Sequence, residues 1–206
     1  MIKNIIFDWS GVISDNTYNV YLSAMGVLKR FNINSISFDQ FREKFEVPFM
    51  NFYNYFVPNL NFNEEKAIYN EEYGKLEKAK SYSSIVDLIK KFKGRSIKMV
   101  VISSEPAEYL NEALEDFGLK DTFIDIKTDL HNKKEALAEV LDNNNFKPEE
   151  TLFIGDTTHE IEVGKELGIK TAGVTWGIQL EDKLKSANPD FIFHNIEEME
   201  SVLLEK

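Results

Sequence analysis

Cysteine is absent from the chain. That removes disulfide cross-links, thiolate catalysis and every cysteine-bearing metal site. Only three histidines are present, too few for a convincing zinc cluster. Basic residues are in the minority, 24 against 35 acidic, for a formal charge of −11. Such a balance disfavours a nucleic-acid surface, which needs a basic patch. It does not argue against a small anionic substrate, because a bound magnesium ion reverses the local field. No apolar run approaches the roughly 18 residues of a membrane span. The opening MIKNIIFDWSG lacks the long apolar stretch and small-residue cleavage pattern of a signal peptide. A cytoplasmic protein with neither a nucleic-acid nor a membrane partner is expected, as a monomer or weak homodimer.

Hydrophobic residues make up 43% of the 206 positions, enough for one core domain and a small inserted one. The run NIIFD at residues 4–8 is continuously apolar and ends in an acid, as expected of a buried strand that delivers a side chain to a sheet edge. Gly11 then lets the chain turn. Residues 17–80 have a different character. Tyr18, Tyr21, Leu22, Met25 and Leu28 recur at helical spacing, and Phe38, Phe41 and Phe45 do so behind Ser37, a cap residue. An aromatic stretch, VPFMNFYNYFVPNL, lies around Pro48 and Pro58, and a charged helix runs from about Glu64 to Lys80. No strong strand pattern appears there.

From Ser84 onward helix and strand alternate. KMVVIS, TFIDIKT, TLFIGD, TAGVTW and DFIFH read as strands. SSIVDLIKKF, PAEYLNEALEDFG, KKEALAEVLDN, HEIEVGKELG and the terminal IEEMESVLLE read as helices. Alternation of this kind predicts an α/β fold with a mostly parallel sheet covered on both faces. The resulting division is a core at residues 1–15 and 84–206, with an all-helical domain at 16–83.

Ligands of such sheets bind beyond the carboxyl ends of the strands. Asp8 ends the first strand, Ser103 and Ser104 end KMVVIS, and Asp156 ends TLFIGD. Singly, each reads equally well as a turn former or helix cap. Together they place two carboxylates at one sheet edge, where they repel unless a cation or proton compensates. Magnesium, which takes oxygen ligands, supplies that compensation. Glu160 lies four residues after Asp156, on the same helix face, either near the metal or simply favoured by the helix dipole. Lys133 opens a helix, where the dipole disfavours it.

These segments resemble, in order, the four motifs of the haloacid dehalogenase superfamily, in its phosphoglycolate phosphatase-like branch. IIFDWSGVISD is similar to the first motif, which makes Asp8 the nucleophile. VVIS resembles the second, with Ser103 on the transferring phosphoryl group and Ser104 beside it. NKKEAL resembles the third, whose lysine corresponds to Lys133, with Lys134 as the alternate. FIGDTTHE resembles the fourth, with Asp156 as a metal ligand and Glu160 in the place of a second acid. KTAGVTWG and NPDFIFHNIEEM are similar to closing segments of this branch, and the helical insertion resembles its mobile cap. The resemblance implies a Rossmann-like core. It also implies a magnesium ion on Asp8, Asp156 and the backbone carbonyl of Ser10, and a covalent aspartyl phosphate formed from a small phosphorylated metabolite.

One position departs from the pattern. Family phosphatases carry a second aspartate two residues after the nucleophile, as acid and base, and Ser10 stands there. A hydroxyl is a poor general acid or base. Three readings follow: a phosphatase with a reduced rate or with leaving groups that need little protonation, other chemistry at the same nucleophile, or a binding or regulatory protein on a retired scaffold. FDWSG is also similar to the opening of phosphonoacetaldehyde hydrolases, which use a cap lysine. Lys44 lies in the corresponding region, although a solvated helix lysine describes it as well. Dehalogenases too lack the second aspartate, but they need no magnesium, whereas this chain keeps the acid of GD. Phe49, Phe52, Tyr53 and Tyr55 either wall the substrate pocket or pack the cap helices against one another.

Overall fold

The computed structural model describes residues 1–130 and 132–204. The first strand, β1 (Asn4–Phe7), is buried at every position. A two-residue strand, β2 (Ser14–Asp15), follows it, then four helices: α1 (Thr17–Arg30), α2 (Phe38–Lys44), α3 (Met50–Phe56) and α4 (Phe62–Tyr73). After a second two-residue strand, β3 (Lys80–Ser81), the chain alternates through α5 (Ile85–Gly94), β4 (Lys98–Ile102), α6 (Ala107–Asp116), β5 (Asp125–Lys127) and α7 (Lys133–Asn143). It continues through β6 (Thr151–Gly155), α8 (Thr158–Glu166), β7 (Lys170–Val174), α9 (Glu181–Ser186), β8 (Phe191–Phe193) and α10 (Ile196–Leu204).

Six strands form one sheet in the order β5-β4-β1-β6-β7-β8, and every pairing is parallel. β1 lies between β4 and β6, with Ile6 opposite both Val100 and Phe153. Alternate side chains feed opposite faces, as strand geometry requires. Ile5, Phe7, Val101 and Ile154 pack with Leu88 and Phe92 of α5, Leu110 of α6 and Met199 of α10. Ile6, Val100, Ile102 and Phe153 pack on the other face with Leu137 and Val140 of α7 and Val163 of α8. This is the Rossmann-like α/β fold expected from the alternation. Among the described residues, no helix is long and apolar enough to cross a membrane.

Helices α1 to α4 form a separate cluster around Val27, Leu28, Phe41, Phe52 and Tyr53. Ser37 caps α2 through a reciprocal capping box with Gln40. The charged helix is shorter than its pattern predicts, ending at Tyr73 rather than Lys80. Beyond it, Lys80 and Ser81 pair antiparallel with Asp15 and Ser14, in a ribbon separate from the main sheet. Two residues are too few to show strand periodicity, so sequence pattern cannot reveal this ribbon. Tyr18 and Leu22 are exposed, and Ala24 and Val27 join the buried face of α1 in their stead. Strand β5 keeps only Asp125–Lys127 of the TFIDIKT run. The predicted last residue of the terminal helix, Glu205, lies outside the described residues.

Glu65 on α4 is buried against the Tyr53 hydroxyl. Burial pushes its carboxyl up to about 7, and the Tyr53 hydrogen bond and Lys66 draw it only part of the way back toward the ordinary 4.5. Between those values the folded protein keeps a proton that the unfolded chain has released. The residue therefore favours the fold at low pH, and its contribution fades as pH rises through about 7. Urea midpoints of wild type and Glu65→Gln should diverge from about pH 5 to about pH 8, with the wild type losing ground. Parallel curves across that window would show that Glu65 does not carry this linkage.

Candidate active site

Asp8 leaves the carboxyl end of β1 in the middle of the sheet, its amide donating to the Ile154 carbonyl at 2.9 Å. Its side chain is buried. One carboxylate oxygen accepts from the Trp9 amide at 2.8 Å, and the other lies 2.9 Å from the Lys133 ammonium. The chain then turns tightly, with the amides of Ile13 and Ser14 both donating to the Trp9 carbonyl. Gly11 makes the turn with φ +71°, and a Cβ there would stand 2.0 Å from Asp156 Oδ2. Glycine is thus needed at position 11 for backbone conformation and for close approach.

Asp156 follows β6, the neighbour of β1, and is buried as well. Its Oδ2 accepts from the Ile178 amide at 2.8 Å. Glu160, in the first turn of α8, completes a group in which one oxygen each of Asp8, Asp156 and Glu160 lie within 4.8 Å of one another. Both Glu160 oxygens have partners. Oε1 lies 2.7 Å from Lys133 Nζ, while Oε2 accepts from the Thr157 amide at 3.2 Å and from the Thr157 hydroxyl. Glu160 thereby serves as the reciprocal partner of the α8 capping box.

The two neighbouring lysines separate cleanly. Lys133 is buried between Asp8 and Glu160, whereas Lys134 is exposed and pairs with Glu166 at 2.7 Å. Ser103, at the end of β4, is buried, and its hydroxyl accepts from the Glu105 amide at 3.0 Å. Ser104 is exposed, yet lines the same cavity as Asp8, Ser103, Lys133 and Asp156.

Electrostatics follow from this crowding. Burial is the largest influence on Asp8 and raises its carboxyl to about 6; Lys133 opposes the rise and Glu160 adds to it. Asp156 is pushed well above the carboxylate range, first by burial and then by the charges of Asp8 and Glu160. Burial works against the Lys133 charge, but Asp8 and Glu160 outweigh it and hold the ammonium above its ordinary value. Burial likewise opposes ionisation of Glu160, and Lys133 with the hydrogen bonds overcomes it. Three buried carboxylates facing one ammonium leave negative charge uncompensated. Hard oxygen donors of this kind fit a divalent cation such as magnesium.

Several residues here escape sequence reasoning. Glu105 accepts a 2.8 Å hydrogen bond from the Ser10 hydroxyl. Asn16 donates to Ser10 Oγ at 3.0 Å and to the Tyr73 hydroxyl at 3.3 Å. Tyr73 in turn hydrogen-bonds Glu105, whose carboxyl burial holds above its ordinary value. The available signal was an acid directly after Ser103 and Ser104, in a loop at the carboxyl edge of the sheet.

The cavity, about 240 Å³, continues from Asp8 into the helical insert, where Phe41, Phe49, Phe52, Tyr53 and Glu65 line it. Tyr55 does not contribute to this wall. It is 68% exposed, with Lys44 Nζ 4.3 Å from its ring centre, and Lys44 is not among the residues lining the cavity. Lys66 of α4 is a lining residue instead. The insert is also tied to the loop after β7, where the Arg42 guanidinium donates to the Ile178 carbonyl at 2.9 Å and the Gln179 side-chain Nε2 donates to the Phe45 carbonyl at 3.2 Å.

Comparison with other proteins agrees with this architecture. A pyrophosphatase, PpaX, of Anoxybacillus flavithermus is 30% identical over 129 residues, 60% of each chain. A phosphoglycolate phosphatase of Synechococcus elongatus is 25% identical over 113 residues, 54% of this chain and 53% of that one. These matches therefore span only about half to three fifths of the relatives' length. The solved structure of a predicted phosphatase from Clostridium acetobutylicum superposes with a TM-score of 0.84 at 22% identity over all of both chains. A haloacid dehalogenase-like hydrolase from Bacteroides fragilis does so with 0.83 at 18%, over 97% of this chain and all of that one. Identities this low establish the shared fold alone. The profile of the haloacid dehalogenase-like hydrolases matches residues 5–174, most of the chain, and the protein accordingly belongs to that family.

Proposed function

We propose that the protein is a magnesium-dependent phosphatase acting on a small phosphorylated metabolite, with Asp8 as the nucleophile. The observation that carries this reading is the Asp8 carboxylate. It is buried at the centre of the sheet edge, with one oxygen held by the Trp9 amide and the other by Lys133, and it faces a cavity large enough for a small ester. Names borne by the relatives, pyrophosphatase and phosphoglycolate phosphatase, favour a phosphoryl substrate over a phosphonate or halide. Lys44, set against Tyr55 away from the cavity lining, gives no support to a Schiff-base reaction.

Asp8 and Asp156, with the Ser10 carbonyl, are the groups that would hold the metal. Glu160 borders it while holding Lys133. A bound divalent cation would neutralise the paired carboxylates and draw charge from the phosphoryl oxygens. Asp8 attacks phosphorus, displacing the leaving oxygen and forming an aspartyl phosphate that water then hydrolyses. Lys133 keeps Asp8 ionised and in place, and its charge faces the equatorial oxygens together with the Ser103 hydroxyl. Ser104, at the cavity mouth, is a further contact for the phosphate. Helices α1 to α4, within residues 16–83, act as a cap whose aromatic wall selects the organic part and excludes water.

Two measurements test this reading. Turnover of a panel containing phosphoglycolate, sugar phosphates, an aryl phosphate and pyrophosphate should require magnesium and vanish in Asp8→Asn, which keeps the size of the side chain but cannot form the acyl phosphate. Substantial turnover by purified Asp8→Asn would rule out the covalent route. In calorimetry, magnesium should bind the wild type, and Asp156→Ala should lose most of the heat. Equal binding by the two proteins would contradict the ligand assignment.

A further inference from the structure

A phosphate ester of an ordinary alcohol needs a proton on its leaving oxygen as the bond to phosphorus breaks. Among the described residues, six acids line the cavity: Asp8, Glu65, Glu105, Asp129, Asp156 and Glu160. Five are already engaged elsewhere. Asp8 attacks phosphorus, Asp156 and Glu160 belong to the group around Lys133, and Glu65 sits in the insert on Tyr53. Asp129 is exposed and accepts from the Ala107 amide at the start of α6. Glu105 remains.

Its placement is specific. The Ser10 hydroxyl, in the turn that begins at Asp8, donates to Glu105 Oε2 at 2.8 Å. Asn16 fixes that hydroxyl from behind at 3.0 Å, and Asn16 also meets Tyr73, which closes the ring onto Glu105. The Glu105 amide is held by Ser103 Oγ, the hydroxyl at the end of β4. A carboxylate built on position 10 would extend its oxygens about 1.2 Å beyond the place of Ser10 Oγ. Glu105, in the loop after β4, instead brings a carboxylate oxygen to 2.8 Å from that hydroxyl, and so acts through Ser10 rather than in its place.

We propose that Glu105, through the Ser10 hydroxyl, is the general acid and base of this site. The inference rests on the phosphatase reading above. With Glu105 protonated, its hydrogen bond with Ser10 runs in the opposite sense, Glu105 donating to Ser10 Oγ. As the Asp8 oxygen bonds to phosphorus and the bond to the leaving oxygen breaks, that oxygen takes the leaving electron pair and the Ser10 proton, and Ser10 is reprotonated by Glu105. In the second half a water gives its proton back along the same path while its oxygen attacks the phosphoryl group. Asp8 is released, inorganic phosphate leaves, and Glu105 is protonated as at the start. The sum is ester plus water to alcohol plus phosphate.

The test is single-turnover kinetics of Glu105→Gln, an isosteric change, at saturating magnesium. Alcohol release from an alkyl phosphate should slow by about 100-fold, while release from an aryl phosphate should stay within about threefold, since that leaving group needs little protonation. With the aryl ester the phosphoenzyme should also accumulate, because its hydrolysis has lost the base. The double variant Ser10→Asp with Glu105→Gln moves the carboxylate back onto the turn and should recover at least tenfold of the alkyl rate, by about the low end of general acid catalysis. Equal slowing of both esters, or no slowing, in folded Glu105→Gln would overturn the proposal and leave the phosphatase reading standing. A wild type that releases neither alcohol would overturn both.

Discussion

Lys133 stands between two buried carboxylates, 2.9 Å from Asp8 and 2.7 Å from Glu160, and the site is organised around that contact. A buried charge is tolerated only when paired and hydrogen-bonded. Each of the three groups meets this condition through a different element: the end of β1, the start of α7 and the first turn of α8. The arrangement is directional. Glu160 is fixed by Thr157 at the helix cap, so it holds Lys133, and Lys133 in turn holds Asp8. Removing one member of such a cluster typically costs about 3–5 kcal/mol, because the others are left buried and unpaired.

The lysine does not balance the site by itself. Asp156 adds a third buried carboxylate, packed so closely that neither Gly11 nor Gly177 has room for a Cβ beside it. Its carboxyl is driven well above the ordinary range by burial and by its acidic neighbours. The cluster of carboxylates at the edge of the parallel sheet, braced by backbone amides from Trp9 and Ile178, is the observation on which the proposed cation rests. The helical insert supplies the opposite chemistry, an aromatic wall across the same cavity. Charged and aromatic surfaces, drawn from separate parts of the chain, thus face one cavity.

Much of this was legible in the sequence, for identifiable reasons. Parallel strands buried on both faces read as continuous apolar runs, so β1, β4 and β6 and the polar residues at their ends stood out. The choice between Lys133 and Lys134 was not legible, because adjacent helix residues point in different directions and only the partners across the fold distinguish them. Glu105 and Ser10 lie 95 positions apart, and no local pattern announces a hydrogen bond of that reach. The β2–β3 ribbon is too short for periodicity, and Tyr18 and Leu22 matched the helical repeat yet face solvent. Local pattern located the strand ends; the pairing of side chains between them depended on tertiary packing.

The account stands most directly on covalent transfer to Asp8. Enzyme mixed with an aryl phosphate and magnesium, quenched in acid within one turnover and digested, should yield a peptide containing residues 4–8 that carries one phosphoryl group on Asp8. The modification should be absent from Asp8→Asn and should disappear as the wild-type reaction is allowed to finish. Turnover of the same ester with no phosphorylated Asp8 peptide at any time would contradict the account.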